Sequence, residues 1–385
     1  MSRGAGEMRV GLDAREAFRE NPRGIGLYAR HLLREFAGLA PELRILAYHE
    51  RPAPPDLPPL GPAQTPRRVT MRGARLHLWE RLALPLALHR DRPHVYHGTY
   101  NTLPPRWPLL RTPPLVVSLH DVIVTWFDED LHDPYVRYCR RVTPRVVRDA
   151  ARILTVSEWS RTDILERFGA DPAKVVVFHN GIHPDFLAGA PEGAAARGHA
   201  ACAGGRPYLF CPAAPLPRKN VAPLLRALGL LHARGRLDHE VVLSGLAEAQ
   251  RAPFAAAAQE AGIAARVRFL PYVTRTQLIE LYAGADLAIY PSLLEGWGIP
   301  VIEALALGTP VATSNTSGMA EAAGAHATLF DPRSIESMAA GVARALEGRE
   351  TFLRSTRAAA VARARGFTWR KAAETTLRVY REVAG

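Results

Sequence analysis

Two glutamates eight residues apart, Glu295 and Glu303, lie in the stretch Tyr290–Gly308, YPSLLEGWGIPVIEALALG. An apolar run ends near Pro291, a turn carries Glu295, Gly296, Trp297 and Gly298, and Ile299 follows. Pro300 suits the first helical position and Gly308 the position just past a helix end, so the pattern predicts a helix over 300–307. Free N–H groups at its start, behind a glycine-rich turn, make a site for an anion such as a diphosphate. Both carboxylates can then reach one ligand, and carboxylate oxygens accept hydrogen bonds from the hydroxyls of a polyol. The alternative makes Glu303 an acid that suits the helix dipole and Glu295 a loop charge. Upstream, Arg218 and Lys219 leave a proline-rich turn just before a helix that Asn220 can cap. Cations there oppose the helix dipole, and a bound anion would remove the conflict; otherwise they are solvated surface charges.

A third group is His120 and Asp121, which end the apolar run VVSLHD. A strand-end histidine is placed for a site, although a lone histidine is more often structural. Asp121 either orients it or caps the next segment. Asp128, Glu129 and Asp130 have the form of an Asp-x-Asp metal motif, but they stand in a polar turn after Trp126 and Phe127 rather than at a buried strand end. No metal is expected.

These residues need a scaffold of strand ends. The 385 residues, 48% hydrophobic and 22% charged, suggest two globular domains rather than a disordered chain. Short apolar runs at 8–12, 43–48, 95–97, 115–119, 153–156 and 175–178 read as strands, with a helix at 27–39 and a proline-rich loop at 51–66. Residues 187–206 are mostly small, and 191–206 is expected to be a linker. A second series follows, with strands at 208–213, 240–244, 267–270, 287–291 and 310–313 and helices at 221–233, 276–283 and 369–383. Buried strands alternating with helices imply parallel sheets covered on both faces. The expected fold is therefore α/β, two Rossmann-like doubly wound domains facing a cleft, over 1–190 and 207–365, with a terminal helix at 366–385.

Composition excludes several functions. No run of 18 apolar residues marks a membrane span, and the first residues lack a signal-peptide pattern. Cys139, Cys202 and Cys211 lack metal-type spacing and suit a reducing cytoplasm. The net charge is +12, and 46 of the 49 basic residues are arginine, spread evenly at +6 per half with no basic tail, so nucleic acid is not an expected partner. A helix at 75–89 mixes arginine with leucine and tryptophan; it reads either as a membrane-surface helix or as a core helix with a wet face.

The stretch EGWGIPVIEALALGTPV resembles the Glu-x7-Glu signature of the retaining glycosyltransferases of family 4, and further matches follow in chain order. Gly24-Ile25-Gly26-Leu27-Tyr28 resembles the family's N-terminal glycine loop, and His97-Gly98-Thr99 sits where a His-Ser/Gly strand end is common in it. Ser118-Leu119-His120-Asp121, Thr155-Val156-Ser157-Glu158-Trp159-Ser160, His179-Asn180-Gly181-Ile182 and Pro217-Arg218-Lys219-Asn220 resemble further family elements. The similarity spans about residues 8–383 and is greatest to the mannosyltransferase-like branch that builds bacterial surface glycans. The family's frequent extra arginine is absent from Cys211–Leu216.

The resemblance implies a GT-B fold whose last helix returns to the first domain, and metal-independent transfer of a hexose from a nucleotide diphosphate sugar with retained configuration. The implied acceptor is a hydroxyl of a glycan, a lipid-linked or a small molecule. It implies catalytic roles for His120, Glu295, Arg218 and Lys219. Donor contacts are implied at Gly24, Gly26, Arg218, Lys219, Glu295, Gly296, Trp297, Gly298, Ile299 and Glu303, and acceptor-side contacts at Tyr28, Thr99, Asp121 and Ser157. No cofactor is implied beyond the nucleotide sugar, and the protein is expected in the cytoplasm, with peripheral contact at the inner face of the membrane left open. A nucleotide-sugar 2-epimerase and a non-catalytic sugar-nucleotide binder are the competing functions.

Overall fold

The computed structural model describes residues 8–22, 24–70, 78–128, 132–202 and 204–385. It divides into two compact units, Met1–Gly181 with Thr368–Gly385, and Ile182–Phe367. The first holds a seven-stranded sheet of β1 (Arg9–Asp13), β2 (Arg44–His49), β3 (Gln64–Arg68), β4 (Val95–Gly98), β5 (Leu115–Ser118), β6 (Arg152–Thr155) and β7 (Val175–Val177). Their spatial order is β3-β2-β1-β4-β5-β6-β7, with every pairing parallel. The second holds β8 (Tyr208–Pro212), β9 (Glu240–Ser244), β10 (Val267–Leu270), β11 (Leu287–Tyr290), β12 (Val311–Ser314) and β13 (Thr328–Phe330), in the order β10-β9-β8-β11-β12-β13, again all parallel. Both are doubly wound α/β sheets, as the pattern of short buried strands requires: every residue of β4, β5, β9, β11 and β12 is buried.

Three sequence expectations change. The loop expected over 51–66 contains the start of β3, whose sequence QTPRR is mostly polar and includes Pro66. An edge strand tolerates both features, because one side of its backbone has no strand to bond. Residues 191–206 are no free linker: Ala194–Cys202 is a helix packed on the helix Arg275–Gly284 within the second unit, and the chain changes unit at Gly181 rather than near 190. Gly198 permits that contact, since a Cβ there would lie 2.2 Å from the Glu280 carbonyl oxygen. The helix expected at 75–89 runs through a π-turn at Trp79–Ala83 into Leu84–Asp91; its positions 75–77 lie outside the described residues.

The last helix, Trp369–Ala384, belongs to the first unit. Thr368 caps it by accepting from the Lys371 N–H, and its buried stripe runs through Trp369, Ala373, Thr376, Leu377 and Tyr380. Trp369 stacks on His31 at 4.5 Å between ring centroids. Gly181 lets the chain approach, because a Cβ would sit 2.2 Å from the Trp369 nitrogen. At the helix's far end Tyr380 Oη lies 2.6 Å from His97 Nδ1, His97 Nε2 lies 2.7 Å from Ser118 Oγ, and Ser118 Oγ lies 2.7 Å from Tyr28 Oη. Burial pushes His97 down to about 3, and the neighbouring His120 adds to the effect, so the ring is neutral at pH 7.

This chain of buried polar groups gives a test. Tyr380→Phe leaves His97 Nδ1 without its partner and should cost about 1–3 kcal/mol, the penalty of an unsatisfied buried group. Calorimetry of the full chain should show a lowered melting temperature, and no change would mean that the contact contributes nothing.

Candidate functional site

In each sheet the strand order reverses once, between β1 and β4 in the first unit and between β8 and β11 in the second. At such a reversal the loops after the two central strands run to opposite faces, which leaves a crevice at their carboxyl ends. In the second unit those loops bring the expected residues together. Arg218 and Lys219 sit on a 3₁₀ turn, Pro217–Lys219, after β8, and Glu295 follows β11. Arg218 Nη1 is 3.0 Å and Lys219 Nζ 2.7 Å from opposite oxygens of the Glu295 carboxylate. Burial pulls that carboxyl up, but Lys219 and then Arg218 more than offset it, so it lies below the usual glutamate range. The conflict between two cations and a helix start is thus already met by an anion of the chain.

Several contacts fix the carboxylate. The Leu293 N–H donates to the Arg218 carbonyl at 2.7 Å, tying the two loops together. The Glu295 N–H donates to Ser317 Oγ at 3.1 Å, and the Glu295 carbonyl accepts from the Gly318 N–H at 3.1 Å. Ser314 Oγ and Thr316 Oγ1 donate to the carbonyls of Ser292 and Leu293. This Ser/Thr/Gly run after β12 escaped the sequence reading; its signal was a cluster of small polar residues directly after a buried strand. Asn220 does not cap with its side chain: it takes φ +58°, and its amide donates to the carbonyls of Pro291 and Pro332. Asparagine tolerates the left-handed region, and the two loop carbonyls claim its donors.

The helix after the turn is Ile299–Ala306, one residue earlier than expected, with Pro300 in its first turn and Gly308 at φ +75° beyond its end. Its N-cap is Gly298, and among the described residues no side-chain cap bonds its N-terminus. A cavity of about 130 Å³ opens beside it, lined among others by Ala213, Lys219, Ser292, Glu295, Trp297 and Gly298. Gly298 is also close-packed on one side, since a Cβ there would meet Ala322 Cβ at 2.9 Å. Gly296 likewise sits against Gly318, where a Cβ would lie 2.2 Å from the Gly296 carbonyl oxygen. Trp297 packs edge-on to Phe367 at 5.2 Å. Glu303 is only partly exposed and does not line this cavity. Its apolar setting pushes it up to about 8, against a weaker opposing pull from Arg275, so at neutral pH it is largely the acid, a donor rather than the expected pair of acceptors.

In the first unit the expected residues serve several purposes. His120, after β5, is buried, and its ring meets Tyr28 edge-on at 4.8 Å. Burial pushes it down to about 4, against a hydrogen bond with the Thr99 backbone. Nε2 has no hydrogen-bond partner among the described residues. The residues expected on the acceptor side make contacts within the first unit: Tyr28 is buried with its hydroxyl on Ser118, Thr99 Oγ1 donates to the Asp13 carbonyl, and Ser157 is a buried N-cap accepting from the Ser160 N–H. Asp121 accepts from the Ile123 N–H, the capping role among its alternatives. Gly24 takes φ +47° at the start of the helix Ile25–Leu39. At Gly26 a Cβ would lie 2.7 Å from the Glu16 carbonyl oxygen. Asp128 is exposed and pairs with Arg140; Glu129 and Asp130 lie outside the described residues. Burial pushes the Cys139 and Cys211 thiols up to about 12, so neither is a nucleophile at neutral pH.

Residues 22–186 match the family model described as Glycosyltransferase Family 4, and residues 197–365 match that described as Glycosyl transferases group 1. The chain is similar to the O-antigen chain mannosyltransferase B of Escherichia coli, at 27% identity over 295 residues, covering 77% of this chain and 76% of that protein. It is also 27% identical over 282 residues to the MMP alpha-(1->4)-mannosyltransferase of Mycolicibacterium hassiacum, covering 69% of this chain and 65% of that protein, just under two thirds of its length. Among solved structures, HepE of Anabaena in complex with UDP and glucose superposes with a TM-score of 0.70 at 17% identity, covering 97% of this chain and all of that one; at such identity the likeness speaks for the fold.

The acid form of Glu303 has a measurable consequence. Its carboxyl sits above the ordinary value in the folded chain, so folding favours the protonated form, and the associated stability is lost as pH rises through about 8. Glu303→Gln should therefore melt higher than the parent at pH 9 and show a smaller or no advantage at pH 5. An advantage that does not grow with pH would mean that Glu303 ionises normally.

Proposed function

The chain belongs to the glycosyltransferases of family 4 and group 1, and on that premise we propose that it moves a hexose from a nucleotide diphosphate sugar to a hydroxyl of a glycan, lipid-linked or small-molecule acceptor, with retention at the anomeric carbon. The observation that carries this reading is the convergence of Arg218 and Lys219 on Glu295 at the β8/β11 reversal, beside an uncapped helix start. Two cations held by one carboxylate keep a surplus positive charge, which a diphosphate can take up by replacing Glu295 as their partner. In transfer the C1–oxygen bond to the β-phosphate breaks and its electron pair goes to that oxygen. The acceptor oxygen bonds to C1 on the same face, and its proton passes to the departing phosphate. Charge thus grows on the phosphate as the bond breaks, and fixed cations stabilise that state more than the ground state. Released from the cations, Glu295 can accept from sugar hydroxyls.

His120 we assign to a sugar hydroxyl: it is neutral, fixed by its packing on Tyr28, and keeps Nε2 available. A mannose-like or glucose-like hexose is the favoured cargo, since the similar proteins include mannosyltransferases and the similar structure holds UDP and glucose. We propose that no metal takes part, because the protein's own cations can neutralise the leaving group. Incubation with GDP-, UDP-, ADP- and dTDP-sugars, followed by nucleotide release with and without acceptors, tests the reading. Release that needs an acceptor supports it, whereas conversion of the donor to its 2-epimer without an acceptor would replace it.

Two outcomes are expected for variants and conditions. Arg218→Ala with Lys219→Ala should lower turnover by at least about 10²-fold. Unlike a pair of plain surface charges, it should also destabilise the empty protein by about 1–3 kcal/mol, because Glu295 loses both partners. Adding Glu295→Gln should restore most of the stability and none of the activity. Near-normal turnover in the double variant would place the diphosphate elsewhere. Turnover should also survive EDTA; a loss reversed by Mn²⁺ or Mg²⁺ would overturn the metal-free reading.

A further inference from the structure

We infer that the first unit docks on an anionic membrane surface through an apolar patch formed by the helical run ending at Asp91 and the turn Trp107–Leu110. Leu78, Leu82 and Leu86 recur at four-residue spacing, so they share one face of that run, and Leu86 is 58% exposed. The opposite face, with Trp79, Leu84 and Leu88, is in the core, so the outer leucines are surplus to packing. The neighbouring turn is closed by the Leu110 N–H donating to the Trp107 carbonyl at 3.1 Å. Turn tips are ordinarily built from glycine, asparagine, aspartate or serine. This one reads Trp-Pro-Leu-Leu and leaves Leu109 93% exposed, with Trp107 also exposed.

Two hydrogen bonds hold the turn along the helical run: Trp107 Nε1 donates to the Arg81 carbonyl and the Arg111 N–H to His89 Nδ1, both at 2.9 Å. The leucines of both elements therefore belong to one surface, of the kind that marks an interaction site. Charge identifies the occupant. Within residues 78–114 the exposed ionic side chains are all arginine, namely Arg81, Arg90, Arg92, Arg106 and Arg111. The two acids of that segment are withdrawn: Glu80 is buried on Arg15, and Asp91 is held by Arg67 and Arg90. An apolar surface rimmed by cations matches lipid chains beneath anionic headgroups. A second copy is the poorer occupant, because a two-fold contact would set the same arginine rim against itself.

This inference goes beyond the proposed transfer reaction, and its test reads binding without turnover, so its failure would leave that reaction standing. The full chain is sedimented with vesicles of phosphatidylcholine alone and of phosphatidylcholine with phosphatidylglycerol. Binding should be strong only with the anionic lipid and should weaken on raising salt, which screens the arginines. Leu86→Asp with Leu109→Asp should lower the bound fraction at least about ten-fold, since insertion of apolar groups supplies the anchoring. Arg81→Gln and Arg111→Gln should each lower it on the order of five-fold. All four positions are exposed, so melting temperatures should stay at the parent value. A parent chain that stays in the supernatant with anionic vesicles would overturn the inference, as would leucine variants that bind like the parent. A dimer in solution abolished by the leucine changes would assign the patch to a second copy and overturn it equally.

Discussion

Two cations on one short turn, partly withdrawn from water, require an anion within reach, and much of the second unit is arranged around meeting that need. Arg218 and Lys219 come from the loop after β8, and their partner Glu295 comes from the loop after β11. The two strands are neighbours, yet their loops diverge because the winding of the sheet reverses between them. The carboxylate is held from behind by Ser317 and Gly318, and the cation turn from below by Asn220, which ties it to the Pro291 and Pro332 carbonyls. The result is a preorganised cluster of two cations and one anion, whose anion can be exchanged for another with little reorganisation of the loops.

The first unit meets a different constraint. It buries an unusual run of polar groups, Tyr380, His97, Ser118 and Tyr28, and each must find its partner inside the protein. The last helix supplies the end of that run, which is why the C-terminal residues are part of the first unit rather than an appendage of the second. His120 lies next to this network and is kept neutral by the same burial. Nearby, Arg15 is clamped between Asp13 and Glu80 with almost no exposure, so a second set of charges at this end of the sheet is spent on itself.

Glycines divide into two groups. Gly24 and Gly308 take positive φ at helix ends, where a side chain would be strained. Gly26, Gly198, Gly298 and Gly318 stand where another segment passes too close for a Cβ. From sequence alone, the turn holding Gly296 and Gly298 reads as open for a ligand; the structure fills much of that space with the helix Ser317–Ala323.

Most strands in their order, the parallel class of both sheets and the positions of Arg218, Lys219 and Glu295 after strand ends were legible in the sequence, because buried runs, helix-start prolines and helix-end glycines are local signals. The family was legible for the same reason, as its motifs are short and stand in order. That Glu295 is itself the partner of the two cations was not, since the two loops meet only in the fold. The edge strands β3 and β13 were not, since an edge can be short and needs no long apolar run, and neither was the helix at Ala194–Cys202, whose small residues matter only against the helix they pack on. What only the tertiary structure decided were the states of the groups. Burial makes Glu303 an acid and keeps His97 and His120 neutral, while residues distant in sequence claim the hydroxyls of Tyr28 and Thr99. Ionisation and hydrogen-bond partnership depend on what surrounds a side chain in space, and spacing along the chain carries no record of that.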